Sequence, residues 1–365
     1  MKLLSARLAA LSPSETFAMA QKSNELKAQG VDVINMSVGE PDFNTPAHIK
    51  QAAKQAIDDN FSFYSPVAGF PDLKKAVSEK LQRENKLEYS PAQIVVSSGA
   101  KQSLCNVILS IVDKGDEVII PAPYWVSYPE MVKLAEGTPV FIYAGIARDF
   151  KITPRQLEEA ITPKTKVLIL CSPSNPTGSV YTKEELEALA GVLEKHPQVH
   201  VVADEIYEHI NYIGQHESIA QFTAIHDRVV IVNGVSKGYA MTGWRIGWIA
   251  APQWIASACS MLQGQYTSGP SSISQKAALA AYMGDQSCVA EMKVAFERRR
   301  DLIAKLLGEI SGLNGNITMG AFYIFPECKY YLGKSRGDRA INTATDLAMY
   351  ILEEAHVACV GGDAF

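Results

Sequence analysis

Residues 233–248 read NGVSKGYAMTGWRIGW, which sets Lys237 eight positions ahead of Arg245 in a glycine-broken stretch behind the apolar run 228–233. A lysine delivered at the end of a buried strand is desolvated. That lowers its pKa and frees its amine to form an imine with an aldehyde. An arginine close behind can fork two donors onto a phosphate. Together the two residues point to a phosphorylated aldehyde. Alone, the pair is weak, because a lysine is most often a solvated surface residue. What the rest of the chain sets around the pair decides its meaning.

Asp204 ends the apolar run 199–203, and a buried carboxylate there needs a positive partner or must protonate. A pyridinium nitrogen would be such a partner and would become a better electron sink, which makes the aldehyde pyridoxal 5′-phosphate (PLP). The commoner role of a lone Asp at that place is to cap the following turn. Tyr207 could donate its hydroxyl to the cofactor's phenolic oxygen or be a core tyrosine. Asn175-Pro-Thr-Gly178 is turn chemistry, yet an amide fixed before a proline could reach the same oxygen. Ser98-Gly-Ala-Lys101 offers free N–H groups and a helix N-terminus to a phosphate. Trp125 could lie flat on an aromatic ring or pack in the core. Gly39-Glu-Pro-Asp-Phe43 and Tyr64 with Gly69 are equally ambiguous one at a time.

The elements that would carry these residues alternate. β-type runs at 94–98, 116–120, 166–171, 199–204 and 229–232 are interleaved with helical patterns at 103–112, 128–135 and 182–194, the last opened by Thr182 and Glu185 at capping-box spacing. The pattern predicts an α/β fold, with a mostly parallel sheet covered by helices on both faces and ligands beyond the strands' carboxyl ends. From residue 288 the texture changes to a charged helix at 289–307, a strand at 320–325 and a helix at 343–355, a smaller α+β domain. We expect residues 1–43 to form an N-terminal arm and part of the small domain, 44–287 the large cofactor-binding domain, and 288–365 the small domain. The run Arg298-Arg299-Arg300 reads as a solvated helix face.

Composition narrows the function. A net charge of −5 over 365 residues leaves no basic footprint for nucleic acid or a membrane surface. Arg7 interrupts the N-terminal apolar stretch, unlike a secretory signal, and the uncharged region 246–261 is too short to span a bilayer. Six cysteines without a C-x-x-C pair read as reduced residues of a cytoplasmic protein. The histidines have no metal-ligand spacing, and His209, His216 and His226 fall in a polar loop region. No G-x-S-x-G elbow, Walker loop or G-x-G-x-x-G after a strand occurs.

In order, Gly39-Glu-Pro-Asp, Tyr64 with Gly69, Ser98-Gly-Ala-Lys-Gln102, Tyr124-Trp125, Asn175-Pro-Thr-Gly178, Asp204-Glu-Ile-Tyr207, Ser236-Lys237 and Met241-Thr-Gly-Trp-Arg245 resemble the class I PLP-dependent aminotransferases of fold type I. The resemblance is to their bacterial aspartate aminotransferase subgroup and covers residues 5–365. It implies Lys237 as the Schiff-base lysine, Arg245, Ser236 and the Gly99 and Ala100 backbone at the phosphate, and Asp204 on the pyridine nitrogen. It implies Tyr207 and Asn175 on the phenolic oxygen and Trp125 on the ring. Gly39, Asn175 and Trp125 would meet the substrate, with Thr16 and Lys101 on a distal carboxylate. Tyr64 would reach the phosphate in a neighbouring subunit, which implies a homodimer with shared sites.

Three departures from the family pattern stand out. Gly234 replaces a serine that many members carry three residues before the lysine. Ser12 stands where prephenate-accepting relatives tend to have lysine, which argues against that activity. The family text also continues past Phe365 into a strand bearing an arginine for the substrate α-carboxylate, so the resemblance implies a longer natural chain. The activity implied is transfer of an amino group between L-aspartate and 2-oxoglutarate. The alternatives are another fold-type-I reaction (an aromatic or prephenate aminotransferase, a β-lyase) and a PLP-sensing module without turnover. A sensor of that kind carries a DNA-binding domain, and no basic helix-turn-helix segment is present here.

Overall fold

The computed structural model describes residues 4–12, 15–337 and 339–365, without the side chains of 15–18 and 20. The chain opens with α1 (Ala6–Ala9), α2 (Glu15–Ala28) and the short β1 (Ile34–Asn35), followed by α3 (Ala47–Asp58) and α4 (Pro71–Lys80). Alternation then begins with β2 (Ile94–Ser97), α5 (Ala100–Ile111), β3 (Glu117–Ala122), α6 (Ser127–Leu134), β4 (Thr138–Tyr143), α7 (Pro154–Ala160), β5 (Thr165–Cys171) and α8 (Lys183–Glu194). After these come β6 (His200–Asp204), β7 (Val229–Gly234), β8 (Gly247–Ala250), α9 (Gln253–Tyr266), α10 (Ser272–Met283) and α11 (Ser287–Gly308). The tail holds β9 (Lys334–Arg336), β10 (Arg339–Ile341), α12 (Ala344–Ala355) and β11 (Val357–Ala358).

The central sheet has seven strands in the order β2-β8-β7-β6-β5-β3-β4. Only β8 is antiparallel to its neighbours β2 and β7. Apart from the edge strand β4, its strands are buried along nearly their whole length, and alternate residues serve opposite faces. Leu168, Leu170, Val201, Val229 and Ile231 join one core. Val167, Ile169, Val202, Val230 and Val232 join the other, shared with α5, α6 and α9. That period of two, with both faces apolar, is what a helix-covered parallel sheet requires. The capping box at α8 forms as predicted, with Thr182 accepting from the Glu185 N–H and the Glu185 carboxylate accepting from the Thr182 N–H.

The apolar region 246–261 divides into β8 and α9, with Pro252 at the N-cap of the helix. Three sequence expectations are corrected. Residues 320–325 form no strand; the chain bends at Ala321, left-handed at φ 55, and is held by a bridge from Gly320 to Asn211 and by the Ala321 N–H donating to the Ile210 carbonyl. The basic run on α11 is not wholly solvated, since Arg300 lies over the Tyr212 ring and donates to the Thr318 carbonyl. His216 is nearly enclosed, its side chain 6% exposed, because it faces buried glutamates.

β1 pairs in parallel with β11, and Val33 and Met19 share an apolar cluster with Leu352 and Ala358. The segment before residue 40 therefore packs with the last part of the chain. A third cluster, Ile206, Tyr207, Ala240, Phe296 and Ala321 with Phe322 and Tyr323 against it, joins this region to the end of the sheet.

Candidate active site

β5, β6 and β7 end side by side, with Cys171 level with Asp204 and Asp204 level with Val232. The turns beyond these ends carry the polar residues. Lys237 follows β7, and its Nζ donates to the Gly39 carbonyl at 2.5 Å. It stands 5.7 Å from the ring centroids of both Tyr207 and Phe322. Burial pulls its pKa down to about 8, with Glu40 and Asp204 opposing and Arg245 adding to the drop. The amine is thus available as a nucleophile near neutral pH.

Asp204 is the last residue of β6 and only 4% exposed. Tyr128, on α6, donates its hydroxyl to Oδ2 at 2.6 Å, and the Ile206 N–H donates to Oδ1 at 3.3 Å. Burial pushes the carboxyl up to about 6 against these two hydrogen bonds. Among the described residues no cation forms an ion pair with it, which leaves a place for one positive ring nitrogen.

The phosphate side is built from backbone and guanidinium. Gly99, at the N-cap of α5, has φ +90, and a Cβ there would stand 2.3 Å from Arg245 Nη2. Arg245 is left-handed at φ 57 and donates to the carbonyls of Thr242 (2.9 Å) and Ser98 (3.3 Å), so its fork lies across the helix N-terminus. A Cβ on Gly247 would stand 2.2 Å from the Ala100 nitrogen, so β8 presses directly against the same end. At Gly234 a Cβ would meet the Ile246 carbonyl oxygen at 2.7 Å, so β8 lies too close here for a side chain on this backbone. Ser236, buried, is the nearest hydroxyl-bearing residue to Lys237 on that turn.

Trp125 lies beyond β3 and packs edge-on against Tyr128, with Lys101 Nζ 4.8 Å from its ring centroid. Burial lowers the Lys101 pKa, and Arg245 adds to it. Asn175 is half-buried in the turn after β5. Tyr64 is not brought to these residues, its side chain being 98% exposed. The Thr16 side chain lies outside the described residues.

Lys237, Asp204, Arg245 and Gly99 meet where β-strand ends face a helix N-terminus, and the sequence family is now decisive. The model of the aminotransferase class I and II family matches residues 31–365. The chain belongs to this family. The aspartate/prephenate aminotransferase of Nitrosomonas europaea is 48% identical, across 99% of this chain and 92% of its own length. That of Cereibacter sphaeroides is 50% identical across 100% and 92%. Among solved structures, the aspartate aminotransferase of Rhizobium meliloti superposes with a TM-score of 0.96 at 44% identity, covering 100% of this chain and 92% of that one. The Thermus thermophilus aspartate aminotransferase with maleate gives 0.93 at 40%, with the same coverage. The fold is the fold-type-I aminotransferase fold, and the protein is an aminotransferase.

Several residues of this aminotransferase site escaped the sequence reading. Tyr128 follows Trp125 by three positions, a spacing that places both on one side of the chain entering α6. Tyr323 brings its hydroxyl to 2.5 Å from that of Tyr207. Glu40 accepts from the Thr242 hydroxyl at 2.9 Å and faces Lys237. Behind Asp204 and Tyr207, Glu205 and Glu208 turn the other way into a buried cluster. There Lys80, fully buried, pairs with Glu208 and donates to Asn85 at 2.8 Å, while the Asn233 amide donates to Glu208 at 2.9 Å. His216 Nε2 lies 3.2 Å from Glu205 without hydrogen-bond alignment. Burial opposes a charge on His216, but Glu205 lifts its pKa above the ordinary value.

Proposed function

We propose that the protein is a PLP-dependent aminotransferase that moves an amino group between L-aspartate and 2-oxoglutarate, acting as a cytoplasmic homodimer. The observation that carries this reading is the pairing of a desolvated Lys237 amine with a buried Asp204 carboxylate that forms no ion pair with any cation among the described residues. The residues present fit the cofactor. Lys237 would hold its aldehyde carbon, Asp204 its ring nitrogen, and Tyr207 and Asn175 its phenolic oxygen. Trp125 would cover its ring, and Arg245, Ser236 and the N–H groups at Gly99 and Ala100 would take its phosphate. Bound there, PLP supplies an aldehyde that exchanges for an amine and a ring that withdraws electrons from the substrate Cα.

The chain's own groups do the rest. As a neutral amine, Lys237 Nζ would take the proton from the substrate Cα and carry it, as an ammonium, to the cofactor's aldehyde carbon. Asp204, held as an anion by a ring cation, keeps that cation protonated. Lys101 beside Trp125 suits a second substrate carboxylate, with Thr16 as its partner and Gly39 and Asn175 near the first. The maleate on the Thermus relative is likewise a dicarboxylate.

Phe63 and Tyr64, 81% and 98% exposed, with the exposed Met261 and Tyr266, support a subunit interface in which Tyr64 completes the neighbour's phosphate site. The pairing of β1 with β11 supports the division into residues 1–43 and 288–365 as arm and small domain around the large domain 44–287. A cytoplasmic location suits the free cysteines, which stay reduced there. No described helix is long and apolar enough to cross a membrane.

The deciding experiment loads the protein with PLP and supplies L-aspartate and 2-oxoglutarate. Oxaloacetate and glutamate are the expected products. Ammonia and pyruvate released from an amino acid with a β-leaving group, such as L-cystathionine, supplied without an acceptor would make it a lyase, and failure to transfer an amino group to any 2-oxo acid overturns the reading. Prephenate is included as an acceptor, because the Nitrosomonas and Cereibacter relatives carry that substrate in their names.

A further inference from the structure

The Tyr207 phenol has a partner. Tyr323, just past the bend at Ala321, places its hydroxyl 2.5 Å from that of Tyr207, with ring centroids 5.5 Å apart at 75°. Both rings are fixed. Tyr207 is 3% exposed and lies edge-on to Phe322, while the Tyr323 hydroxyl occupies the space that a Cβ on Gly39 would take, 2.5 Å away. Gly39 also accepts from Lys237 Nζ, so one glycine touches both the amine and the second phenol. The other titratable groups facing this pair are Asp204 and Cys171 from the strand ends and Lys237 from its turn.

A phenol has one proton to give and lone pairs to accept with. On the reading that PLP binds here, its phenolic oxygen takes the Tyr207 proton. The hydroxyl behind Tyr207 must then be the donor of the pair. We infer that Tyr323 is a positioning residue: it donates its hydroxyl proton to the Tyr207 oxygen, fixing Tyr207 as a donor to the cofactor's phenolic oxygen and polarising that O–H. Burial, the leading cause, holds both phenols well above their ordinary values, so neither proton is lost in the neutral range. Hydrogen bonds in such a chain strengthen one another.

A donor at the phenolic oxygen favours the form of the lysine-bound chromophore that has lost its proton, because more negative charge then rests on that oxygen. The test is an absorbance titration against pH of the PLP-loaded parent, Tyr323→Phe, Tyr207→Phe and the double variant. Tyr207→Phe should raise the midpoint. Tyr323→Phe should raise it in the same direction by less, about two- to threefold in the acid constant. The double variant should match Tyr207→Phe alone, since Tyr323 acts only through Tyr207. Incorporating 3-fluorotyrosine at 323, a stronger donor, should lower the midpoint, which keeps the test open if Tyr323→Phe folds poorly. An unchanged midpoint in both Tyr323 proteins, or full addition in the double variant, overturns the inference. No chromophore in the parent after adding PLP would instead sink the cofactor reading on which it rests.

Discussion

A Cβ on Gly99 would stand 2.3 Å from Nη2 of Arg245, so the guanidinium occupies the volume that every other residue at position 99 would fill. Both backbones are left-handed, Gly99 at φ +90 and Arg245 at φ 57. For Arg245 that conformation costs about 1–3 kcal/mol, held by the surrounding structure. The two positions are thus one device for bringing a fork to a helix N-terminus.

Gly99→Ala should therefore act on Arg245 as well as on the backbone. We expect PLP binding to weaken about 10–100-fold, as in Arg245→Gln, the range given by one or two charge-assisted hydrogen bonds. The double variant should be little worse than either single change. Equilibrium dialysis of the cofactor measures all three, and full additivity would show that the two residues act separately.

Lys237 sets a pH dependence of cofactor capture. Only the neutral amine attacks an aldehyde, and burial brings its pKa down to about 8. The rate at which cofactor-free protein takes up PLP should rise about tenfold per pH unit below that value and level off above it. A rise continuing towards pH 10 would mean an ordinary, solvated lysine. The unfolded chain binds the extra proton between about 8 and the ordinary lysine value, so this group's contribution to stability grows as pH rises through that window. Lys237→Ala should remove both effects and abolish turnover.

Asp204 predicts a stability effect of the opposite sign. Its folded pKa is raised to about 6 from 3.8, chiefly by burial. The folded state then holds the proton more tightly, and cofactor-free stability falls as pH rises from about 4 to about 6. At neutral pH the cost is on the order of 3 kcal/mol. Asp204→Asn should have a higher urea midpoint than the parent at pH 7, no such advantage at pH 4, and weakened PLP binding. Equal midpoints at pH 7 would show that the carboxylate is well solvated.

The cluster behind the site is expected to be fragile to single changes. Lys80 has no exposed surface and neutralises Glu208, whose carboxyl is held below its ordinary range: burial works against ionisation, but Lys80 and then His209 and His216 outweigh it. That stabilisation is present above the ordinary carboxylate range and is lost as pH falls through the depressed value. Lys80→Met leaves a buried anion and should cost about 3–5 kcal/mol in urea unfolding at pH 7. Lys80→Met with Glu208→Gln should cost less than Lys80→Met alone; an equal or greater loss would show that packing rather than charge governs the cluster.

How much of this was legible in the sequence depends on how local the cause is. The α8 capping box was readable because Thr182 and Glu185 satisfy one another within a single turn. β2, β3, β5, β6 and β7 were readable because their apolar runs are bounded by polar turns; β4 (Thr138–Tyr143), a half-exposed strand at the sheet edge, was not read. β8 was not, since Gly247–Ala250 continues without a break in hydrophobicity into the region of α9. Lys237, Asp204 and Asn175 stand at or just after strand ends, Arg245 just before β8, and all four were singled out by type and position. Tyr323 and Tyr128 matter through partners 116 and 76 residues away, and no spacing rule reaches that far. Arg300 was misjudged for the same reason: its cover, Tyr212 and the Thr318 carbonyl, comes from other segments.

Because β8 runs back against β7 with Gly234 opposite Gly247, residues 235–246 leave the sheet and return to it at one rung. The residues assigned to the two ends of the cofactor, Lys237 and Arg245, lie on that single excursion. Their separation is therefore gauged by one closed loop rather than by the packing of distant domains. Lengthening the loop by even one residue would change the ruler, whereas the same insertion in the exposed turn at 213–215 would leave it untouched.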